Sequence, residues 1–357
     1  MQSLFDSNLR PADAELDAVL TSPKYTNLKR FLEELWQRYV PYIGADENGF
    51  RGDLKAQPFP RIWEMYLAVA LMESGFDLAH KPNTGPDVKL VNPSIWVEAV
   101  SSTDGNKNGK QIQPSAATPE VLLQPVSGGP PEGDIILRYL TSIDEKRKKL
   151  LGYYDRKGKW HPGYIERGIV NHSDPYVIAL NTYKTSFALY DHQHTPNHLP
   201  TIAKCLFGYG NSVRQWYRRD GLSGSISSDR LDYKYRSHAM NRSGAKVSSD
   251  IFFQEAYSRL SALILSKGGF CTWQQGLQES LSENFMLIHN PLAKNPLPEK
   301  WLKSGHEIWI QHGQVHKRIW RNGNEHLVER FPLPYNLPAP ISARLLNRRS
   351  APCDSLI

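Results

Sequence analysis

Cysteine is scarce in this chain: Cys205, Cys271 and Cys353 are the three among 357 residues. They stand far apart and form no C-x-x-C pair, which argues against a structural zinc site or a disulfide framework and for a reducing, intracellular setting. Long apolar runs are missing as well. The longest, YLAVALM at 66–72, is far too short to cross a bilayer, so no membrane partner is expected. The opening stretch MQSLFDSNLRPADAELD carries acids early and has no apolar core, so it does not read as a signal peptide, and the expected location is the cytoplasm. There is no internal repeat and no low-complexity tract. A P-loop, a Rossmann glycine pattern and a serine elbow are all absent, which argues against an NTPase, a dinucleotide enzyme or a serine hydrolase.

What is present is the composition of a globular protein, 40% hydrophobic and 22% charged, with a formal charge of +7. A mild basic excess suits an anionic partner such as nucleic acid but does not require one. The apolar spacing predicts helices over 26–40 and 60–76, the second opened by a proline and stopped near Gly75. Strands are predicted on both sides of the NPS link at 92–94, as an antiparallel hairpin. A long loop rich in Gly, Pro, Ser and Asn follows at 103–132, then an amphipathic helix from Asp134 to about Gly158, then a strand at 174–182. Residues 185–248 read as a polar insertion. The stretch SDIFFQEAYSRLSALILSKGG reads as a helix running into a strand, ENFMLIH as a last core strand, and HEIWIQHGQVHKRIW as a terminal hairpin before a proline-rich, irregular tail. The expected fold class is α/β, a central mixed β-sheet flanked by helices. The expected organisation is an N-terminal helical region (1–58), a core (59–305) carrying the basic insertion at about 185–248, and a C-terminal hairpin and tail (306–357).

One acid is out of place. Glu98 lies inside IWVEAV, where Trp96 and Val100 share its strand face and Ile95, Val97 and Ala99 cover the other. A carboxylate among apolar neighbours is costly unless it is paired, protonated or bound to a cation. Asp87 follows a Gly-Pro turn just before the preceding strand, so pairing across the NPS link brings Asp87 and Glu98 to one region of a sheet. Two such carboxylates repel each other unless a divalent cation neutralises them, and hard oxygen ligands with room for water suit Mg²⁺. Glu64 lies at the edge of the apolar stripe of its helix (Pro60, Trp63, Leu67, Ala70, Leu71), placed to add a third acid. Its plainer reading is a boundary Glu whose tip reaches water.

A helix Glu (Glu64), a Pro-Asp pair (GPD, ending at Asp87) and an acid in the next strand (VEAV, around Glu98) together resemble the PD-(D/E)XK nuclease superfamily, the restriction-endonuclease-like fold. The likeness in element order runs from about 60 to 182. It implies a Mg²⁺-dependent (or Mn²⁺-dependent) endonuclease that hydrolyses DNA phosphodiesters, in a setting such as host defence or restriction. Asp87, Glu98 and the Ala99 carbonyl would hold the metal, and Glu64 would bind it directly or through water. The family pattern has Lys two residues after the strand acid; here Val100 stands there. In some members that Lys comes from a neighbouring element. On the following helix, whose stripe is Ile136, Leu140, Ile143 and Leu150, Lys146 lies on the flank best placed to lean toward the carboxylates. On the same wheel Lys148, Lys149 and Arg138 fall further round. The plainer reading of DEKRKK is a solvated charged face.

Arg214, Arg218 and Arg219 in RQWYRRD, with the Lys, Arg and Tyr of DYKYRSHAMNRSGAK, mix cations with aromatics as nucleic-acid surfaces do. Lys107 and Lys110, directly after the Glu98 strand, are further candidates for contact with a phosphodiester. His192, His194 and His198 lie close in sequence but lack a helix or a Cys partner to make a zinc site, and His161 with Asn171–Asp174 does not have HNH-nuclease spacing. Three alternatives stay open from sequence: a DNA endonuclease, with RNA as another substrate and a homodimer as one assembly; a nuclease fold that binds nucleic acid without cutting it; and an unrelated α/β protein in which Glu98 pairs with an Arg such as Arg138.

Overall fold

The computed structural model describes residues 3–5, 11, 13–80, 84–103, 106–107, 110–111, 132–185, 199–218, 226–240, 244, 246–274, 280–321 and 323–347. Four helices open the chain: α1 (Ala14–Thr21), α2 (Thr26–Ile43), α3 (Glu47–Ala56) and α4 (Pro58–Glu73). Asp13 caps α1 by accepting from the backbone N–H groups of Glu15 and Leu16. Pro58 starts α4, where its missing N–H costs nothing. From Ile62 to Leu71 every side chain of α4 is buried, so this is a core helix rather than a surface one.

Among the described residues, eight strands form one mixed sheet in which spatial order follows chain order. They are β1 (Val88–Leu90), β2 (Ile95–Ser101), β3 (Tyr176–Asn181), β4 (Ala262–Ser266), β5 (Met286–His289), β6 (His306–Gln311), β7 (Gln314–Arg321) and β8 (Asn324–Pro332). β1 and β2 are antiparallel, with Val88 opposite Val97. β3 runs parallel to both β2 and β4. A single bridge from Leu78 to Leu90 extends the sheet edge beyond β1. The crossover from β2 to β3 contains helix α5 (Glu132–Leu151).

Period-two alternation divides β2 between two cores. Ile95, Val97 and Ala99 face the cluster built by α2, α3 and α4. Trp96 faces the other cluster, with Ile136, Tyr139 and Ile143 of α5 and the buried helix α6 (Thr201–Phe207). The sheet is therefore covered on both faces, which explains why β3 is buried at every position.

Several expectations change. α5 stops at Leu151, because Gly152 adopts φ +86° and turns the chain away. The following YYDRKG belongs to a small hairpin that pairs Tyr153–Tyr154 with Trp160–His161. Part of the segment expected to be an insertion is core: every side chain of α6 except Lys204 is buried, and Phe207 packs on Phe252 and Phe253. Seven residues are too few to display helical periodicity among polar flanks. Residues 209–218 and 226–235 form a long antiparallel pair. SDIFF begins two short 3-10 turns rather than a helix. The HEIWIQ hairpin is β6–β7, and β8 continues it, so the strands after residue 306 belong to the central sheet. The tail contains helix α7 (Ala339–Asn347).

Candidate active site

Asp87 sits just before β1, where β2 runs on past its partner. Because β1 begins only at Val88, opposite Val97, Ala99 has no strand beside it on the side away from β3. The Asp87 carboxylate fills that gap: its Oδ2 accepts from the Ala99 N–H at 2.8 Å. In an extended strand the N–H and C=O of one residue point to the same side, so the Ala99 carbonyl also looks toward Asp87. On the other side, the Tyr42 hydroxyl of α2 donates to the Asp87 backbone carbonyl at 2.8 Å and fixes the turn.

Glu98 is 1% exposed. Its Oε1 accepts from Lys146 Nζ at 2.6 Å and from Lys149 Nζ at 3.3 Å, while its Oε2 is buried and has no hydrogen-bond partner among the described residues. Lys146 thus reaches the strand acid from α5, across the face on which Val100 lies. Lys149 corrects the helical-wheel reading: residues three apart share a helix flank, so Lys146 and Lys149 arrive together. Glu98 pairs with Lys146 and Lys149 rather than with Arg138.

Glu64 also departs from its plainer reading. It is 2% exposed rather than reaching water. Tyr39 donates to its Oε1 at 2.7 Å and Arg61 to its Oε2 at 2.7 Å, and Arg61 also pairs with Asp53. Glu64 comes from the α4 face and Glu98 from the α5 face, and Asp87 at the sheet edge feels both charges. Burial, then Glu98, then Glu64 push the Asp87 carboxyl up from 3.8 to about 7, against the pull of Lys146 and the Ala99 N–H. Burial alone would lower Lys146, but the Glu98 and Asp87 charges hold it above its ordinary value, so the ammonium stays charged.

The donor set on offer is oxygen only: Asp87, the open Oε2 of Glu98 and the Ala99 carbonyl. Among the described residues, no three His, Cys, Asp or Glu side chains converge closely enough to hold a metal ion by themselves. A cation here would therefore draw on the backbone carbonyl and on water besides two carboxylates, a set that fits Mg²⁺ or Mn²⁺.

The other expected residues are more dispersed. Lys107 and Lys110 face each other across a two-residue strand pair. Arg214 pairs with Leu231, and Arg218 with Ile226, in the long antiparallel ribbon. Arg219 and the three histidines His192, His194 and His198 lie outside the described residues. His161 pairs with Asp155, and Asp174 accepts from the Trp96 indole at 3.0 Å. Sequence reasoning missed Tyr42 and Tyr39, which hold Asp87 and Glu64 from a helix more than twenty residues upstream of both. The apolar spacing predicts a helix through Tyr39 but ends it before Tyr42, and it says nothing of the partners of either. No family model, no curated protein and no solved structure matches this chain, and among the described residues no helix is long and apolar enough to cross a membrane.

Proposed function

We propose that the chain is a metal-dependent endonuclease of the restriction-endonuclease-like kind, acting on DNA phosphodiester bonds. The observation that carries this reading is the Lys146–Glu98 contact at 2.6 Å beside Asp87. It supplies a cation from α5 where Val100 occupies the strand position. The element order supports it too: α4, the antiparallel β1–β2 pair, α5, then β3 parallel to β2.

Asp87, Glu98 Oε2 and the Ala99 carbonyl would hold Mg²⁺ or Mn²⁺, which when bound supplies activation of water and charge neutralisation at the phosphorus. The chain's own groups do the rest. Asp87 must be ionised to serve as a ligand, and the Lys146 charge favours that form. Lys146 holds its proton, orients the attacking water by donating to it and stabilises negative charge on the phosphate. Tyr42 and the Ala99 N–H keep Asp87 in place, and Tyr39 with Arg61 holds the Glu64 carboxyl group in one position. A cytoplasmic site of action and a role in host defence or restriction go with this reading.

The second reading, a fold that binds nucleic acid without cutting, is favoured by one feature: two lysines already neutralise Glu98. Plasmid cleavage in Mg²⁺ or Mn²⁺ separates the two. We expect cutting by the wild type and its loss in folded Asp87→Asn, Glu98→Gln and Lys146→Met. Loss in the two acid variants alone would keep the nuclease and remove Lys146 from its chemistry. No cutting of plasmid, linear or single-stranded DNA, with DNA binding retained, would establish the binding protein instead.

A further inference from the structure

Directly after α5, whose Lys146 and Lys149 touch Glu98, the chain folds into the hairpin 153–161. Among the described residues, seven large apolar side chains are exposed, and three of them are here: Tyr153, Tyr154 (70% exposed) and Trp160. The other four, at 91, 240, 335 and 346, lie singly along the chain. Three aromatics left in water within nine residues mark a surface with a partner.

The hairpin is built to be rigid. Asp155 accepts from the N–H groups of Lys157 and Lys159, each at 2.9 Å, and from His161 at 3.1 Å. Tyr153 stacks on His161 with ring centroids 4.9 Å apart, and Tyr154 packs beside Trp160 at 4.8 Å. The Trp160 indole donates to Glu166 at 2.9 Å. Its ring lies so close over Gly152 that a Cβ there would come within 2.4 Å of it. Gly152 is thus required twice, for its positive φ and for this contact. Tyr164, just beyond the hairpin, bonds back to Lys149 at 2.8 Å and feels the charges of Glu98 and Asp87, so the hairpin is anchored beside the carboxylates.

The charge of this surface selects the partner. Arg156, Lys157 and Lys159 are exposed at its turn, and among the described residues no carboxylate forms an ion pair with them; that of Asp155 is engaged within the hairpin. Three unpaired cations beside exposed ring faces suit a polyanion that also offers flat apolar groups, which is a nucleic acid with unpaired bases.

We propose that the hairpin 153–161 is the substrate-engaging element of this protein. Tyr154 and Trp160 stack on unpaired bases, while Arg156, Lys157 and Lys159 hold the adjoining phosphates of a strand led to the Asp87–Glu98 site. This rests on the nuclease reading of that site and adds to it a preference for DNA with a single-stranded segment.

The test is binding of a fluorescein-labelled single strand and its blunt duplex in EDTA, with cleavage by the wild type measured separately in Mg²⁺ or Mn²⁺. Each variant is first checked for its folded spectrum and melting temperature. Arg156→Glu/Lys157→Glu/Lys159→Glu should weaken binding of both DNAs by about tenfold or more and flatten the salt dependence. Tyr154→Ala, a change at a 70% exposed ring, should weaken single-strand binding by about fivefold or more and leave duplex binding unchanged. Folded variants that bind both DNAs like the wild type overturn the hairpin proposal, and wild-type cleavage in that case leaves the nuclease standing. A wild type that binds neither DNA, or that binds anionic vesicles in its place through the same cations, also overturns it. If that wild type does not cut either, the nuclease reading falls as well.

Discussion

Glu98 on β2 and Glu307 on β6 are both buried carboxylates in one sheet, 1% and 0% exposed, yet their surroundings are opposite. Glu307 is saturated. Its Oε1 accepts from the His289 ring and the Lys300 N–H, and its Oε2 from Arg318 at 2.9 Å and the Trp320 indole at 3.4 Å. Burial would raise its pKa, but His289, the Lys300 N–H and Arg318 outweigh that and hold it below the ordinary value. Glu98 has both lysines on one oxygen and, among the described residues, no partner on the other, and the charge of Asp87 is felt beside it. The same residue type in the same kind of strand is finished in one place and left open in the other. On the proposed reading the open oxygen of Glu98 is where a cation would bind; the closed carboxylate of Glu307 ties three strands and a loop together.

The largest expected effect separates these two roles. Glu307→Ala leaves the Arg318 guanidinium buried with fewer partners and should cost about 3 to 5 kcal/mol of stability in urea or thermal unfolding, with cleavage per folded molecule unchanged. A mild loss of stability would mean that Glu307 does not hold the far half of the sheet. Next comes Glu98→Gln, which keeps the shape of the side chain. It should cost about 1 kcal/mol of stability but cut single-turnover cleavage by about a hundredfold or more. If Glu98→Gln instead unfolds the protein as badly as Glu307→Ala, the contrast collapses and Glu98 is a structural ion-pair partner.

The pH dependence sharpens the comparison at Asp87. Its folded pKa of about 7 lies above the ordinary value of 3.8. The folded state therefore binds more protons than the unfolded one between those values, and this group's contribution to stability falls as pH rises through that window. Asp87→Asn should flatten the fall and raise the stability at pH 8 by on the order of 2 kcal/mol, less whatever the weaker bond to the Ala99 N–H removes. Added Mg²⁺ should raise the melting temperature of the wild type at pH 8 more than that of Asp87→Asn. A wild-type curve without this slope would show that Asp87 is not under carboxylate repulsion. The smallest effect belongs to Lys149→Met. The Lys149 side chain is 51% exposed and its bond to Glu98 is the longer one, 3.3 Å, so the loss should stay under about 1 kcal/mol, with cleavage within about twofold of wild type. A drop as large as that of Lys146→Met would make the two lysines equivalent.

The elements around the site were largely legible in the chain. The apolar stripe of α4, a proline-marked hairpin and the alternation that splits Ile95, Val97 and Ala99 from Trp96 and Val100 all follow from period and turn chemistry. The acid in IWVEAV was legible as an anomaly for the same reason. Lys146 could be ranked first among the cations of α5 because its helix flank is set by the apolar stripe. Lys149 was misplaced because it shares the flank of Lys146 three residues earlier, from where its long side chain reaches Glu98. The role of α6 was hidden, since a seven-residue helix between polar segments carries too little periodicity. The saturated surroundings of Glu307 were invisible, because His289, Lys300, Arg318 and Trp320 come from different strands and a loop.

By itself the sequence determined the helix and strands that carry Glu64, Asp87 and Glu98, and that one strand carries a carboxylate its neighbours cannot satisfy. Those are local properties, written in spacing and in backbone preference. Only the tertiary structure decided what each buried charge meets: two lysines for Glu98, a tyrosine and an arginine for Glu64, the Ala99 N–H for Asp87. Electrostatic energy depends on distance and on the exclusion of water, and both are set by segments that pack together from far apart in the chain.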